Sequence, residues 1–337
     1  MQSMNKVLVL GGTGFIGSHV CEKLVRLGWR VTVPTRRRDN ARHLLHLPLL
    51  TVLETDVHDE AALAAVAAGH QAVVNLVAIL HGSERAFEQV HVSLPQKLAR
   101  ACRSAHIRQV IHVSALGADS LQPDSAPSRY LRSKSRGEAA LAQASNQGEH
   151  FNLTLLRPSV VFGAGDKFLN VFARLQKVFP WVPLACADAR FQPVWVEDLA
   201  SAVARCLQPG MGKTAPRSPR ILEICGPEIF SLRQLVALAG QLAGVNGGLG
   251  RPVMGLPLWL GRVQAAMMSL MPGEPLMSQD NLDSMRMPNV ASGRLPGLES
   301  LGITASALRP VASDYLGRDL PGRGLQGLRA RAHDPGA

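Results

Sequence analysis

Four apolar residues, Val7-Leu8-Val9-Leu10, run straight into Gly11-Gly12-Thr13-Gly14-Phe15-Ile16-Gly17, and Ser18–Leu27 then carries apolar residues at helical spacing. A buried strand that turns through glycines directly into a helix has few outlets other than a parallel α/β sheet, where each strand is followed by a crossover helix. The glycines have separate uses: one permits the tight turn, one lets backbone approach a ligand, and one lets helix and strand pack closely. The helix start adds free N–H groups and a partial positive charge. The turn therefore fits a dinucleotide pyrophosphate, held by Gly11, Thr13, Gly14, Phe15, Ile16 and Gly17. Gly12, Gly14 and Gly17 also satisfy G-x-G-x-x-G, so spacing leaves two forms of the fingerprint open, and a glycine turn with no ligand stays the plain alternative.

The rest of the chain repeats the strand–helix alternation. Strands are expected at Lys6–Leu10, Arg30–Val33, Leu50–Glu54, Ala72–Val77, Gln109–Ser114 and Asn152–Leu156, with helices at Ser18–Leu27, Asp59–Ala68, Phe87–His106 and Arg129–Ser145. This predicts an α/β fold, a Rossmann-type doubly wound parallel sheet with a smaller C-terminal lobe. The dinucleotide-binding domain is expected over 1–165, with 190–230 returning to it. The lobe takes 166–189 and 231–316, with helices at Phe168–Phe179 and Leu232–Leu242, and 317–337 reads as a mobile basic tail.

Five dispersed cysteines with no C-x-x-C spacing suggest neither a disulfide framework nor a zinc site, and the scattered histidines suggest no metal. Apolar strand begins by residue 7, so no leader is expected and the location expected is cytoplasmic, with peripheral attachment to the inner face of a membrane as an option. The net charge of +11 could draw nucleic acid or an anionic surface. With aromatics at 4% and no nucleic-acid motif, nucleic acid is set aside.

NAD binders usually carry a carboxylate about 20 residues beyond the turn, at the end of the second strand, to accept the ribose hydroxyls. Here that place reads Thr35-Arg36-Arg37-Arg38, and Asp39 is the first acid. Guanidinium groups of Arg36 and Arg37 suit a 2′-phosphate, so NADP(H) is favoured and NAD(H) stays open. Asp56 and Val57, after the third strand, suit an adenine edge, with a turn or cap role for Asp56 as the plain alternative, and Val77 and Ala78, at and just beyond the end of the fourth strand, are expected to line the cofactor. Tyr130 and Lys134 share a helix face four residues apart, where an ammonium favours phenolate. Such a pair can move a carbinol proton; a surface tyrosine beside a solvated lysine is the plain alternative.

These residues together resemble the extended short-chain dehydrogenase/reductase superfamily. Three further stretches match in order: Leu156-Arg157-Pro158-Ser159-Val160-Val161-Phe162-Gly163, Trp195-Val196-Glu197-Asp198-Leu199-Ala200, and Ile224-Cys225-Gly226-Pro227. The resemblance implies that Lys134 also contacts the nicotinamide ribose and that Pro158 and Val160 lie beside the nicotinamide. Ser128–Glu138, Arg157–Asn170 and Gln192–Asp198 look like one atypical, epimerase/dehydratase-like subgroup, the one containing the nucleotide-binding accessory subunit of respiratory complex I. That implies a tightly held NADP(H) in a structural or assembly role near the quinone-reducing arm.

Two departures stand out. The superfamily's catalytic hydroxyl position aligns with Ala115, with Ser114 one residue earlier as the only hydroxyl to hand, and an expected Asn-Val pair reads His91-Val92. Loss of that hydroxyl weakens transition-state stabilisation unless Ser114 reaches in. The Met-rich stretch 254–271 is too interrupted for a membrane span and suits a pocket wall, internal packing, or contact with a partner or membrane surface. Two readings stand. One is a nucleotide-bound accessory or assembly factor tied to complex I, ubiquinone metabolism or an anionic membrane surface. The other is an active NAD(P)-dependent oxidoreductase or epimerase using Tyr130, Lys134 and Ser114. The oligomeric state is left open.

Overall fold

The computed structural model describes residues 5–146, 151–208, 219–269 and 277–317. The tail from 318 onward lies outside them, as do residues 270 and 271 of the Met-rich stretch. The chain divides into two compact units.

The first unit comprises 1–159, 196–225 and 291–304. Its elements are β1 (Lys6–Leu10), α1 (Phe15–Arg26), β2 (Arg30–Thr35), β3 (Leu50–Glu54), α2 (Glu60–Ala67), β4 (Ala72–Asn75), α3 (Glu84–Phe87), α4 (Leu94–Ser104), β5 (Gln109–Val113), α5 (Arg129–Asn146) and β6 (Asn152–Pro158). A helix over Val196–Leu207 and a last strand over Arg220–Ile224 complete it. The seven strands are all parallel, in the order Arg220–Ile224, β6, β5, β4, β1, β2, β3. The chain thus winds one way from β1 to β3 and the other way from β4 onward. Ligands of open α/β sheets bind beyond the strand ends at such a reversal.

Residues 7–10 of β1 are fully buried, as a strand covered on both faces by helices requires. Helix packing completes the core through Leu63, Leu94, Leu98 and Leu141. Asp59 starts α2 by accepting the Ala62 N–H at 2.9 Å.

Several element ends differ from expectation for local reasons. β2 runs on to Thr35 through Pro34, because pairing with β1 has ended at Thr32 while pairing with β3 continues to Glu54. β4 stops at Asn75, two residues early, because the Asn75 side chain takes the Val77 N–H at 3.2 Å and draws the backbone out of the ladder. The single helix expected over Phe87–His106 is α3, a π turn over Glu88–Ser93, and α4. α1 begins three residues earlier than expected, at Phe15, so Phe15, Ile16 and Gly17 form its first turn.

Residues 291–304 belong to this unit, and not to the C-terminal lobe. Glu223 holds them: its carboxylate accepts from the Ser292 N–H at 2.7 Å and the Ser292 hydroxyl at 3.0 Å, its own N–H reaches Pro296 O, and Leu298 and Leu301 are buried.

The second unit comprises 160–195, 226–290 and 305–337. The helices over Leu169–Val178 and Leu232–Leu242 pack with the one over Leu308–Leu316 around Phe162, Val182, Leu184, Leu235 and Val236. Ser231 and Gln234 form a reciprocal capping box at the start of Leu232–Leu242. A further helix spans Leu258–Ser269, beside a strand over Val253–Leu256 that pairs with Val182–Ala185.

Candidate functional site

The glycine turn is built as the sequence implies. Gly11 has φ +78°, where a side chain is strained, and a Cβ there would come within 3.0 Å of the Leu76 backbone just beyond β4. A Cβ on Gly17 would strike the Gly11 carbonyl oxygen, so α1 approaches the turn only because that position is glycine. Gly14 precedes the helix with its N–H on Gly11 O at 3.1 Å, and α1 has no side-chain cap and no acid in its first turn. Its leading N–H groups, those of Phe15, Ile16 and Gly17 among them, face a place where an anion could sit. Thr13 lies in the same turn.

Arg36 and Arg37 follow β2 and are exposed. Asp39, the first carboxylate, is drawn into an ion pair with Arg42 at 2.9 Å. The end of β2 thus presents the exposed Arg36 and Arg37, which suit a 2′-phosphate, with the Glu54 carboxylate nearby accepting the Arg38 N–H at 3.2 Å. Asp56 is exposed and accepts the His58 N–H at 3.0 Å, which fixes the turn after β3 and leaves its second carboxylate oxygen for another donor; Val57 is half-buried beside it. Val77 is half-buried and Ala78 exposed just beyond β4.

The Tyr130–Lys134 pair is more deeply set than its sequence spacing indicates. Lys134 is 1% exposed, and its Nζ donates to Val113 O at 2.8 Å, on the peptide that joins Val113 to Ser114. Burial lowers its pKa to about 8, against the opposing pull of Glu138. Tyr130 is half-buried, edge-on to His91 with ring centroids 5.6 Å apart, and packs with Ala115, Ala126 and Leu131. Ser114 is 5% exposed and its Oγ has no hydrogen-bond partner. An orphaned buried hydroxyl calls for a reason, and a missing ligand is a common one.

His91 is the residue whose part the sequence did not reveal. It sits in the π turn, an arrangement frequent at functional sites. Its Nε2 accepts the Ile79 N–H at 3.1 Å, so the proton is assigned to Nδ1, which points at Ser133 Oγ at 2.8 Å; Ser133 in turn donates to Tyr130 O at 2.7 Å. This relay ties the loop after β4 to the first turn of α5. Burial first, and the Lys134 charge second, lower the His91 pKa to about 2, so the ring is neutral. His112 is likewise neutral, held far below its ordinary value by burial, and its Nδ1 takes a hydrogen bond from Asn75 Nδ2 at 3.0 Å. An asparagine closing an apolar strand was the available sequence signal for this second buried pair.

Behind α5, Arg157 grips the fully buried Glu138 with two bonds, Nε to Oε1 at 3.0 Å and Nη2 to Oε2 at 2.6 Å. Glu197 receives His19 at 2.6 Å and Lys23 at 3.2 Å, fastening α1 to the helix over Val196–Leu207. Pro158 closes β6, and its carbonyl accepts the Leu116 N–H at 3.0 Å. Val160, the first residue of the second unit, donates its N–H to Asn289 Oδ1 at 3.0 Å, a partner the sequence reading did not single out. No His/Cys/Asp/Glu group among the described residues could hold a metal ion.

The profile of the NAD dependent epimerase/dehydratase family matches residues 7–222. "NADH dehydrogenase [ubiquinone] 1 alpha subcomplex subunit 9, mitochondrial" of Mus musculus is 29% identical over 327 residues, covering 92% of this chain and 79% of that protein. The Arabidopsis thaliana protein of the same name is 32% identical over 240 residues, covering 68% of this chain and 56% of its own length. Among solved structures, MoeE5 in complex with UDP-glucose and NAD superposes with a TM-score of 0.64 at 19% identity, covering 93% of this chain and 98% of that one. That likeness is one of fold.

Proposed function

Because the chain belongs to the NAD dependent epimerase/dehydratase family, we propose that it binds NADP(H) in preference to NAD(H) and serves as a nucleotide-bound accessory or assembly factor of a respiratory, quinone-linked complex. The observation that carries the binding reading is the glycine turn, which opens on an α1 N-terminus without a side-chain cap. Gly11, Thr13, Gly14, Phe15, Ile16 and Gly17 would hold the pyrophosphate. Arg36 and Arg37 would hold the 2′-phosphate, while Asp56, Val57, Val77 and Ala78 would line the adenosine half. Lys134, Pro158 and Val160 would flank the nicotinamide ribose and ring, and the unpartnered Ser114 hydroxyl fits a polar ligand atom arriving there.

The accessory role is supported by kinship with the mouse and Arabidopsis subunits and by Ala115, a methyl group where the superfamily's pattern has a hydroxyl. Its proposed place is the cytoplasm, with peripheral attachment to the inner face of a membrane as the option. Purification from its own source, with the bound nucleotide and co-purifying proteins identified by mass spectrometry, tests both halves. NADPH carried through purification together with subunits of a respiratory complex is the expected result. A protein that neither carries nicotinamide nucleotide nor is stabilised by added NADPH defeats the reading.

Ser114 supports a second reading, an active oxidoreductase or epimerase. When bound, the nucleotide supplies a hydride acceptor or donor at its nicotinamide ring. Tyr130 would then exchange the proton of a substrate hydroxyl, Lys134 would orient the ribose and favour phenolate, and Ser114 would donate to the substrate oxygen.

A further inference from the structure

The helix over Leu258–Ser269 in the second unit is mounted the wrong way round for a surface helix. Among its described side chains the buried positions are small: Gly261 and Ala265, with Gly261 so close to Ala185 that a Cβ would collide. Its exposed stripe is Leu258, Trp259, Arg262, Val263 and Ala266, at the spacing of one helix face. Trp259 is 65% exposed, Val263 51% and Leu258 42%, and Met254 on the preceding strand is 55% exposed. Ordinary amphipathic helices place bulky apolar groups inward and polar ones outward. An exposed cluster of this kind marks an interaction surface.

The same unit supplies the charge that identifies the partner. A cavity of about 670 Å³ opens where this helix begins, its wall running through Leu256 and Leu258 to Arg190, Arg233 and Arg286, with Asp188 the carboxylate among the described lining residues. Arg233 is fixed by donating to Val253 O at 2.8 Å, and all three arginines are exposed. Arg262, within the apolar stripe, makes a loose contact with Asp283 at 3.7 Å. Cations bordering bulky apolar groups that include tryptophan match the headgroup level of an anionic bilayer. No helix among the described residues is long and apolar enough to cross a membrane, so the arrangement is that of a helix lying in the surface plane.

We propose that this face docks on an anionic phospholipid surface, Leu258, Trp259, Val263 and Met254 entering the headgroup boundary while Arg190, Arg233 and Arg286 take lipid phosphates. The inference deepens the peripheral location proposed above and stands apart from nucleotide binding.

The test uses the full chain saturated with NADPH, added to vesicles of phosphatidylglycerol mixed with phosphatidylcholine and to vesicles of phosphatidylcholine alone. Expected are co-flotation with the anionic vesicles only, weakened by salt, and a blue shift of tryptophan emission that Trp259→Phe removes. Arg190→Gln with Arg286→Gln should lower partitioning about thirtyfold, at about 1 kcal/mol per arginine, and Trp259→Gln with Val263→Gln should abolish it. All four positions are exposed, so circular dichroism and NADPH affinity should stay unchanged and separate this outcome from failure of the nucleotide reading. Equal binding to neutral vesicles, no binding to either, or light scattering showing a dimer that Trp259→Gln dissociates would each overturn the proposal.

Discussion

His91 and Ser133 meet at 2.8 Å between the π turn and α5, joining two elements whose sequence positions are 42 residues apart. The pair is buried, and each member spends its remaining capacity on backbone: His91 on the Ile79 N–H, Ser133 on the Tyr130 carbonyl. His91→Ala therefore strands the Ile79 N–H, while the Ser133 hydroxyl keeps its bond to the Tyr130 carbonyl. The expected loss is about 1–3 kcal/mol, the cost of one unsatisfied polar group, read as a lower urea midpoint. His91→Gln, which can still accept and donate, should recover part of it.

The same ring makes stability fall in acid. Its folded pKa, lowered to about 2, lies well below the unfolded value of about 6.5. Above about pH 6.5 both states hold a neutral ring and stability is full; between there and about pH 2 the unfolded chain binds a proton that the folded one refuses. His112 acts in the same sense. Urea midpoints from pH 8 to pH 4 should decline with a slope that is shallower in His91→Gln. An unchanged slope in that variant would mean the ring is not held neutral.

Much of this molecule is legible in its sequence. The glycine turn, β1, β3 and the helix over Leu232–Leu242 follow directly, because apolar periodicity and turn chemistry there agree with the fold. The π turn does not, because one extra residue per hydrogen-bonded ring leaves the apolar pattern of 84–104 almost unaltered. His91 looked like a mere substitution in an expected Asn-Val pair, since its two partners, Ile79 and Ser133, are set by tertiary packing. Glu223 gave no signal that 291–304 would return to it.

Arg36→Ala with Arg37→Ala should weaken NADPH at least tenfold and NADH less than twofold, since a charge-assisted bidentate contact is lost only where a 2′-phosphate exists, at about 1.5–3 kcal/mol. Fluorescence titration of both nucleotides reads it. Equal weakening of the two would remove the arginines from the 2′-phosphate site.

Ser114→Ala separates the two functional readings. Deleting an unpartnered buried hydroxyl should leave the melting temperature of the nucleotide-free protein the same or higher. If Ser114 serves a ligand, the gain in melting temperature on adding NADPH or substrate shrinks in the variant. Tyr130→Phe should leave NADPH affinity within about twofold and, if turnover exists, abolish it.

Arg157→Leu should cost about 3–5 kcal/mol by leaving the Glu138 carboxylate alone in the interior. Glu138→Gln in the same chain should return a large share, and a double-mutant cycle in urea gives the coupling. Additive losses would show that the two side chains do not depend on one another.

The return of 291–304 to Glu223 sets the order in which the chain can be completed. A ribosome that has made residues 1–225 has supplied every strand of the large sheet, yet Glu223 still lacks Ser292 and the sheet's edge lacks Leu298 and Leu301. The second unit's long segment, 226–290, must be synthesised before that edge can close. Assembly of the two units is therefore interleaved in time, and a nascent chain arrested before residue 304 would expose an unfinished sheet margin to chaperones.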